Sequence, residues 1–261
     1  MMFKIYLYIF SFLLFSLNSF AQSYKITIYY EERPPYFILD SSKQKIVDGI
    51  AFKKVNKILT DSKVKYEYEQ IPIIRSLQNI KDNKIPCCVT YTYKNKMREE
   101  YARFTLPYLK DKRLVIITKK NNEKLKGANN LIEILSDNNI TPILKVGYTY
   151  GTSVTGILQK YRGYSIFNLN DQKNKNIVMT SQIQEDILKK LLENEGDFTL
   201  MPLNEFQYYI QTNPNFSDIL TYKTIPESTE EIYRHFMCSK KVKIIDISKM
   251  NEVIKKVRSL N

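Results

Sequence analysis

Between Lys25 and Tyr91 the chain alternates strand-like and helix-like stretches in the order β-α-β-α-β, and that order leaves few folds open. Lys25 to Tyr30 alternates apolar and polar residues, and Pro34-Pro35 ends the strand because proline cannot donate to a ladder. Gly49 opens a helical stretch in which Ile50, Val55, Ile58 and Leu59 are expected to share one face. Val64 to Gln70 alternates again, Arg75 to Ile80 reads as a short helix, and Ile85 to Tyr91 as a third strand. This order predicts a parallel sheet with helices on its faces, and such sheets bind ligands at the carboxyl ends of their strands.

The second half repeats the alternation. Leu114 to Thr118 is a strongly apolar strand, and the polar stretch Lys119 to Lys126 after it is the expected first crossing between two lobes. Leu131 to Leu135 reads as helix, Ile143 to Gly147 as strand, and Gly151-Thr152-Ser153 as a helix start rich in capping residues. Ile183, Ile187, Leu188, Leu191 and Leu192 fall on one helical face. Phe198 to Met201 is predicted as a buried strand, Asn204 to Ile210 as a helix, and Ile232 to Cys238 as a return strand. The final helix carries the stripe Met250, Val253, Ile254 and Val257. No repeat at a solenoid period is visible.

The N-terminus sets the compartment. Met1 to Lys4 is positive, Ile5 to Leu17 is apolar, and Ser19-Phe20-Ala21 puts small residues at the two cleavage-determining positions, the three parts of a signal peptide. The apolar run falls short of the ~20 residues of a membrane span. No cysteine stands at the cleavage point, which argues against a lipoprotein. The expectation is cleavage near Ala21 and a soluble periplasmic chain of about 240 residues, room for one large domain or two modest ones.

Composition excludes more than it assigns. A net charge of +13 raises nucleic acid or an anionic surface as partners, but the lysines are dispersed and runs such as Lys53-Lys54 and Lys240-Lys241 are short. A solvated surface explains them, and no nucleic-acid partner is expected. His235 is the only histidine, so no ligand-like spacing supports a metal site and no serine or cysteine has a histidine partner other than His235, and there is no Gly-x-Ser-x-Gly turn or phosphate loop. No cofactor is expected.

Three short motifs then narrow the function: Glu32-Arg33-Pro34-Pro35-Tyr36, Ile71-Pro72-Ile73-Ile74-Arg75, and Arg98 leading to Phe104-Thr105-Leu106-Pro107-Tyr108. In this order behind a secretion signal, they resemble the bacterial periplasmic solute-binding proteins of family 3, the polar amino acid type. The resemblance runs over roughly residues 24 to 258. It implies an α/β, two-lobed periplasmic-binding-protein-like (type II) fold with a hinged interlobe cleft. The expected division is 1–21 signal peptide, 22–117 first lobe, 118–225 second lobe, and 226–261 returning to the first.

The resemblance also implies a site. Arg98, six residues before Phe104, stands where the family grips a ligand carboxylate, and a guanidinium offers that carboxylate a planar fork of donors. An arginine paired with Glu99 or Glu100 is the plainer reading. Thr90, Tyr91 and Thr92 follow the third strand, although Asn95 replaces the family's usual threonine. Tyr36 is placed to cover an apolar part of the ligand or to fill the core. Arg75 is placed either in the cleft or at a helix cap. Gly151 and Thr152 resemble the turn whose backbone N–H groups meet the same carboxylate, and would equally serve as an ordinary cap. Pro202 falls where the family carries the aspartate that neutralises the ligand's ammonium, leaving Glu205, one turn on, as the candidate substitute.

Three cysteines in an oxidising compartment suggest one bridge and one free thiol. Adjacent residues on a strand face opposite ways, so only one of Cys87 and Cys88 can face Cys238, and Cys88–Cys238 is the candidate pair. The function expected is binding of a small carboxylate-bearing solute by a monomer and its delivery to an ABC permease. The alternatives are a sensor reporting to a membrane receptor and a dehydratase-like enzyme with Glu205 or Glu32 as acid.

Overall fold

In the computed structural model, residues 24–166, 176–229 and 231–258 are described. The expected signal peptide lies outside them. Two sheets form two lobes. The first contains β1 (Ile26–Tyr30), β4 (Tyr66–Gln70), β5 (Cys87–Tyr93), β6 (Ala102–Phe104), β7 (Leu109–Lys110) and β13 (Tyr233–Ser239). Its order is β4-β1-β5-β13-β6, with β7 also on β13. The second has β8 (Leu114–Lys119), β9 (Pro142–Lys145), β10 (Val178–Thr180), β11 (Phe198–Pro202) and β12 (Leu220–Thr224), in the order β10-β9-β11-β8-β12. A small hairpin, β2 (Ile38–Leu39) with β3 (Ile46–Asp48), stands apart.

In the first lobe β1 pairs parallel with β4 and β5, as the β-α-β-α-β order requires. Strand β1 is buried at all five positions, and edge strand β4 leaves Glu67 and Glu69 exposed. Charges on an edge discourage pairing with another chain. Helix α1 (Ile50–Asp61) buries Ala51, Val55, Ile58 and Leu59, and Ile50 stays exposed. The spacing i, i+4, i+7, i+8 from Ala51 gives the tighter stripe, so Ile50 is turned about 100° out of it. Gly49 permits this helix start: its φ is +140°, and a Cβ there would lie 2.1 Å from the Tyr36 carbonyl oxygen. Helix α2 (Ile73–Asp82) follows Pro72 and closes at Asn83, whose left-handed conformation suits a C-cap.

The chain returns to the first lobe through β13, antiparallel to β5, and a Cys88–Cys238 disulfide joins these strands. Cys87 is buried and free. Asn95 caps the short helix α3 (Lys96–Glu99) by accepting from the Arg98 backbone N–H at 2.9 Å. The residue that departs from the family's pattern thus fixes the turn that carries Arg98.

The sheets divide earlier than the sequence suggests. Strand β8 pairs with β11 and β12, so Leu114 to Thr118 belongs to the second lobe. The first crossing is residues 111–113, before that strand, and the polar stretch after it stays in the second lobe, where residues 123–125 form one 3-10 turn. The expected boundary at 117 and 118 therefore moves to the N-terminal side of β8. The second crossing lies between Thr224 and Tyr233.

Helices α4 (Leu131–Ser136), α5 (Thr152–Arg162), α6 (Gln184–Leu192), α7 (Leu203–Thr212) and α8 (Pro214–Ile219) belong to the second lobe, and α9 (Ile244–Arg258) follows β13. A compact cluster of Ile187, Leu188, Leu191, Met201, Phe206 and Phe216 forms one part of the second lobe's core. The larger core runs from the first sheet across to Leu144, Tyr150 and Leu158, so the lobes meet over apolar packing.

Candidate functional site

Chain segments at the cleft come from both lobes. From the first, the loop after β1 brings Glu31 and Arg33, the carboxyl end of β5 brings Tyr91 to Tyr93, α3 brings Arg98, and the start of β13 brings Arg234. From the second, the loop after β9 brings Gly147 to Thr149. A cavity of about 20 Å³, room for little more than one water molecule, is lined by residues of these segments together with Ile73. Small-molecule sites span roughly 300–1,000 Å³, so the lobes are drawn together here and must part to admit a solute.

Two ion pairs bridge the lobes. Arg33 donates from Nε and Nη2 to the two carboxylate oxygens of Glu205, at 2.8 and 3.0 Å. Lys145 Nζ, buried at the end of β9, donates to Glu31 at 2.8 Å, and the Tyr148 hydroxyl donates to the same oxygen at 3.1 Å. The other Glu31 oxygen accepts the first N–H of α2, from Ile73, at 3.1 Å. A helix N-terminus gathers unsatisfied donors, which favours a carboxylate there. The Arg33 guanidinium is stacked 4.3 Å from the centre of the Tyr148 ring and 5.3 Å from that of Tyr36. Burial alone would lower its pKa, but the Glu205 carboxylate outweighs this and holds it well above the ordinary arginine value.

A third pair sits at the hinge. Arg234 and Asp111 are both fully buried, 2.6 Å apart, and Asp111 is in the first crossing itself. The Asp111 backbone N–H donates to the Ile232 carbonyl in the second crossing, tying the two segments together. Tyr36 and Tyr93 donate to the same carboxylate, and Asn204 of the second lobe donates to Tyr36 Oη at 3.0 Å.

Arg98 differs from these. It is 1% exposed and donates to two backbone carbonyls, Tyr93 in its own lobe at 3.0 Å and Gly147 across the cleft at 2.9 Å. No carboxylate pairs with it among the described residues. Burial pushes its pKa down, and the neighbouring Tyr101 and Tyr164 oppose that only in part. Tyr91, Thr92 and Thr149 line the same cavity, are buried, and have side-chain hydroxyls without a hydrogen-bond partner. Burial raises the Tyr91 pKa well above the ordinary phenol value, so this hydroxyl keeps its proton.

Among the residues singled out from sequence, Arg98, Tyr91 and Thr92 line the cavity. Thr90 is buried beside them with its hydroxyl unpartnered, but does not line it. Tyr36 is buried behind the cavity, between Arg33 and Arg234, where its ring supports two guanidinium groups. Arg75 is exposed on α2 because its position in the helix faces away from the buried Ile73, Ser76 and Leu77. Gly151 and Thr152 also lie off the cavity: α5 starts there, Thr152 is exposed, and the loop preceding it, Gly147 to Thr149, supplies the lining instead. Glu205 is buried in the cleft but its two oxygens are taken by Arg33. Glu32, the other candidate acid, is paired with Lys43.

Arg33, Glu31, Lys145, Asp111 and Arg234 carried no sequence assignment. Arg33 is in the Pro-Pro-Tyr motif, but its partner is 172 residues away, a pairing that no periodicity reveals. His235 lies on β13 with Nδ1 2.8 Å from the Thr105 carbonyl oxygen. Among the described residues no cluster suits a metal ion, and no helix is long and apolar enough to cross a membrane.

Residues 26–257 match the family described as bacterial extracellular solute-binding proteins, family 3. No curated protein matches the chain in sequence. Among solved structures, the arginine-, lysine-, histidine-binding protein ArtJ from Geobacillus stearothermophilus is similar with a TM-score of 0.69 and 14% identity, over 91% of this chain and 90% of that one. A P235GK mutant of ArgBP from T. maritima gives 0.67 and 14%, over 91% and 90%. The substrate binding protein of an amino acid ABC transporter gives 0.63 and 13%, over 90% and 93%. At these identities the likeness concerns the two-lobed fold.

Proposed function

As this chain belongs to the bacterial extracellular solute-binding proteins, family 3, whose members bind solutes rather than transform them, we propose that it captures a small carboxylate-bearing solute by closure of its cleft. The solute is an amino acid or a related organic acid, and the closed form delivers it to an ABC importer, the role printed for one of the similar structures. The chain acts outside the cytoplasm after cleavage near Ala21.

Arg98 is the observation that carries this reading. A guanidinium has five N–H donors, two of which reach backbone carbonyls here, so donors remain for a ligand. Removal from water strengthens each contact it makes, and it stays charged despite burial. The unpartnered hydroxyls of Tyr91, Thr92 and Thr149 offer further contacts on the same cavity.

A thermal-shift screen of the chain from Gln22 onward, against amino acids, organic acids and peptides with Arg98→Ala in parallel, tests it. A ligand at about 100 times its dissociation constant adds roughly 2.7 kcal/mol. The expected result is a shift for one solute class, lost in the folded Arg98→Ala protein. No shift with any solute overturns the reading.

A further inference from the structure

The cleft has its own charge balance. Four cations, Arg33, Arg98, Lys145 and Arg234, face three carboxylates, Glu31, Asp111 and Glu205. Each carboxylate is paired: Glu31 with Lys145, Asp111 with Arg234, Glu205 with Arg33. Arg98 is left as the one of the four without a carboxylate. Among the described residues no acidic side chain lines the cavity, whereas three arginines do.

A ligand ammonium enclosed there would be surrounded by guanidinium groups with no free anion to balance it. Desolvation makes an unbalanced charge costly in such a site. The acidic, ring-lined place beside Glu205 is occupied by the chain itself. Arg33 holds both oxygens of Glu205 and stacks on aromatic rings, Tyr148 at 4.3 Å and Tyr36 at 5.3 Å, with Tyr91 at 6.0 Å. Such a ring-lined acidic pocket favours a guanidinium or ammonium. The hydroxyls of Tyr91, Thr92 and Thr149 remain to meet neutral oxygen atoms.

Resting on the carboxylate-binding reading above, we propose that the cleft selects carboxylates whose other substituents are neutral oxygens, the 2-oxo and 2-hydroxy acids, over acids bearing an ammonium, with Arg33 as the specificity-determining residue. Arg98 takes the carboxylate. Arg33 fills the cation pocket that an amino acid would otherwise use, so the chain supplies internally the charge that Glu205 requires.

The test is isothermal titration of the mature protein with acids that differ at C2: pyruvate and L-lactate against L-alanine, and 2-oxoglutarate against L-glutamate, with L-arginine as a cationic probe. In at least one pair the oxo or hydroxy acid should bind about tenfold tighter or better than its amino partner, and Arg98→Ala should abolish it. In Arg33→Ala, Glu205 is left without its cation, and L-arginine should gain affinity relative to wild type. If that variant does not fold, the wild-type comparison decides alone. An amino acid that binds wild type as tightly as its oxo partner, and loses binding in Arg98→Ala, overturns this inference and leaves the carboxylate reading standing. Binding indifferent to Arg98→Ala, or no binding by any of these acids, overturns both.

Discussion

Replacing Glu205 by glutamine keeps the shape of the side chain and removes its charge, which leaves Arg33 buried without a counter-ion. The Arg33 and Glu205 side chains are 6% and 0% exposed and joined by two hydrogen bonds, so water screens the pair little. Breaking a buried pair on one side costs about 3–5 kcal/mol. Arg33 and Glu205 belong to opposite lobes, so the cost falls on the closed state alone, since opening the cleft returns Arg33 to water. The closed-to-open ratio should fall by roughly 10²- to 4 × 10³-fold. Small-angle X-ray scattering of ligand-free protein reads this directly: wild type should match the closed structure, and Glu205→Gln should show a larger radius of gyration. Arg33→Gln should open the cleft for the reciprocal reason. A Glu205→Gln protein that scatters like wild type, with a melting temperature unchanged, would refute the reasoning that this pair holds the lobes together.

Three other outcomes follow from the same geometry. Gly147→Ala should destabilise the fold by about 1–3 kcal/mol, because Gly147 has φ +82°, a conformation strained for any L side chain in the open and closed forms alike; the midpoint in urea should fall. Replacing Cys88 and Cys238 by serine should lower unfolding stability by about 4–5 kcal/mol, since the bridge closes a loop of 150 residues, measured as a lower midpoint in urea. The Tyr29 phenol is pushed up to about 12, chiefly by burial. Its folded value lies above the ordinary 10.0, so its contribution is present below pH 10 and lost as pH rises from 10 towards 12; a Tyr29→Phe protein should lose less stability over that window in pH-dependent denaturation.

Much of the fold was legible because its periods are local. Strand β1 and helices α1 and α9 each declare themselves over a few residues, whereas Asn95 showed in the sequence only as a departure from the family's threonine and its cap on α3 came from the structure. The hairpin of β2 and β3 has two and three residues per strand, too few to show alternation. The place of β8 was hidden for another reason. Its apolar residues suit either sheet, and only the hydrogen bonds to β11 and β12 assign it to the second lobe. Ile50 looked like part of the α1 stripe because hydrophobicity alone marks it, whereas the packing stripe starts at the smaller Ala51.

Of the residues that line the cavity, Arg98, Tyr91 and Thr92 were singled out through the family resemblance. The ion pairs were not. Glu31 and Lys145 are 114 residues apart, and Asp111 and Arg234 are 123 apart. Neither a motif nor a helical period links residues at such separations, and only the folded topology brings them together. Arg33 is the instructive case, a residue inside a visible motif whose role depends on Glu205 in the other lobe. Glu205 in turn stands out in sequence as a free acid and is, in the structure, already balanced.

The central claim is that a carboxylate is held at Arg98 between the lobes, and a crystal structure of the mature protein with the strongest ligand from the thermal screen tests it most directly. The account predicts the ligand's carboxylate within hydrogen-bond distance of the Arg98 guanidinium, with Thr92 or Thr149 on its remaining oxygens and Arg33 still on Glu205. A ligand held in the cleft with its carboxylate on other groups, or bound outside the cleft altogether, would contradict it.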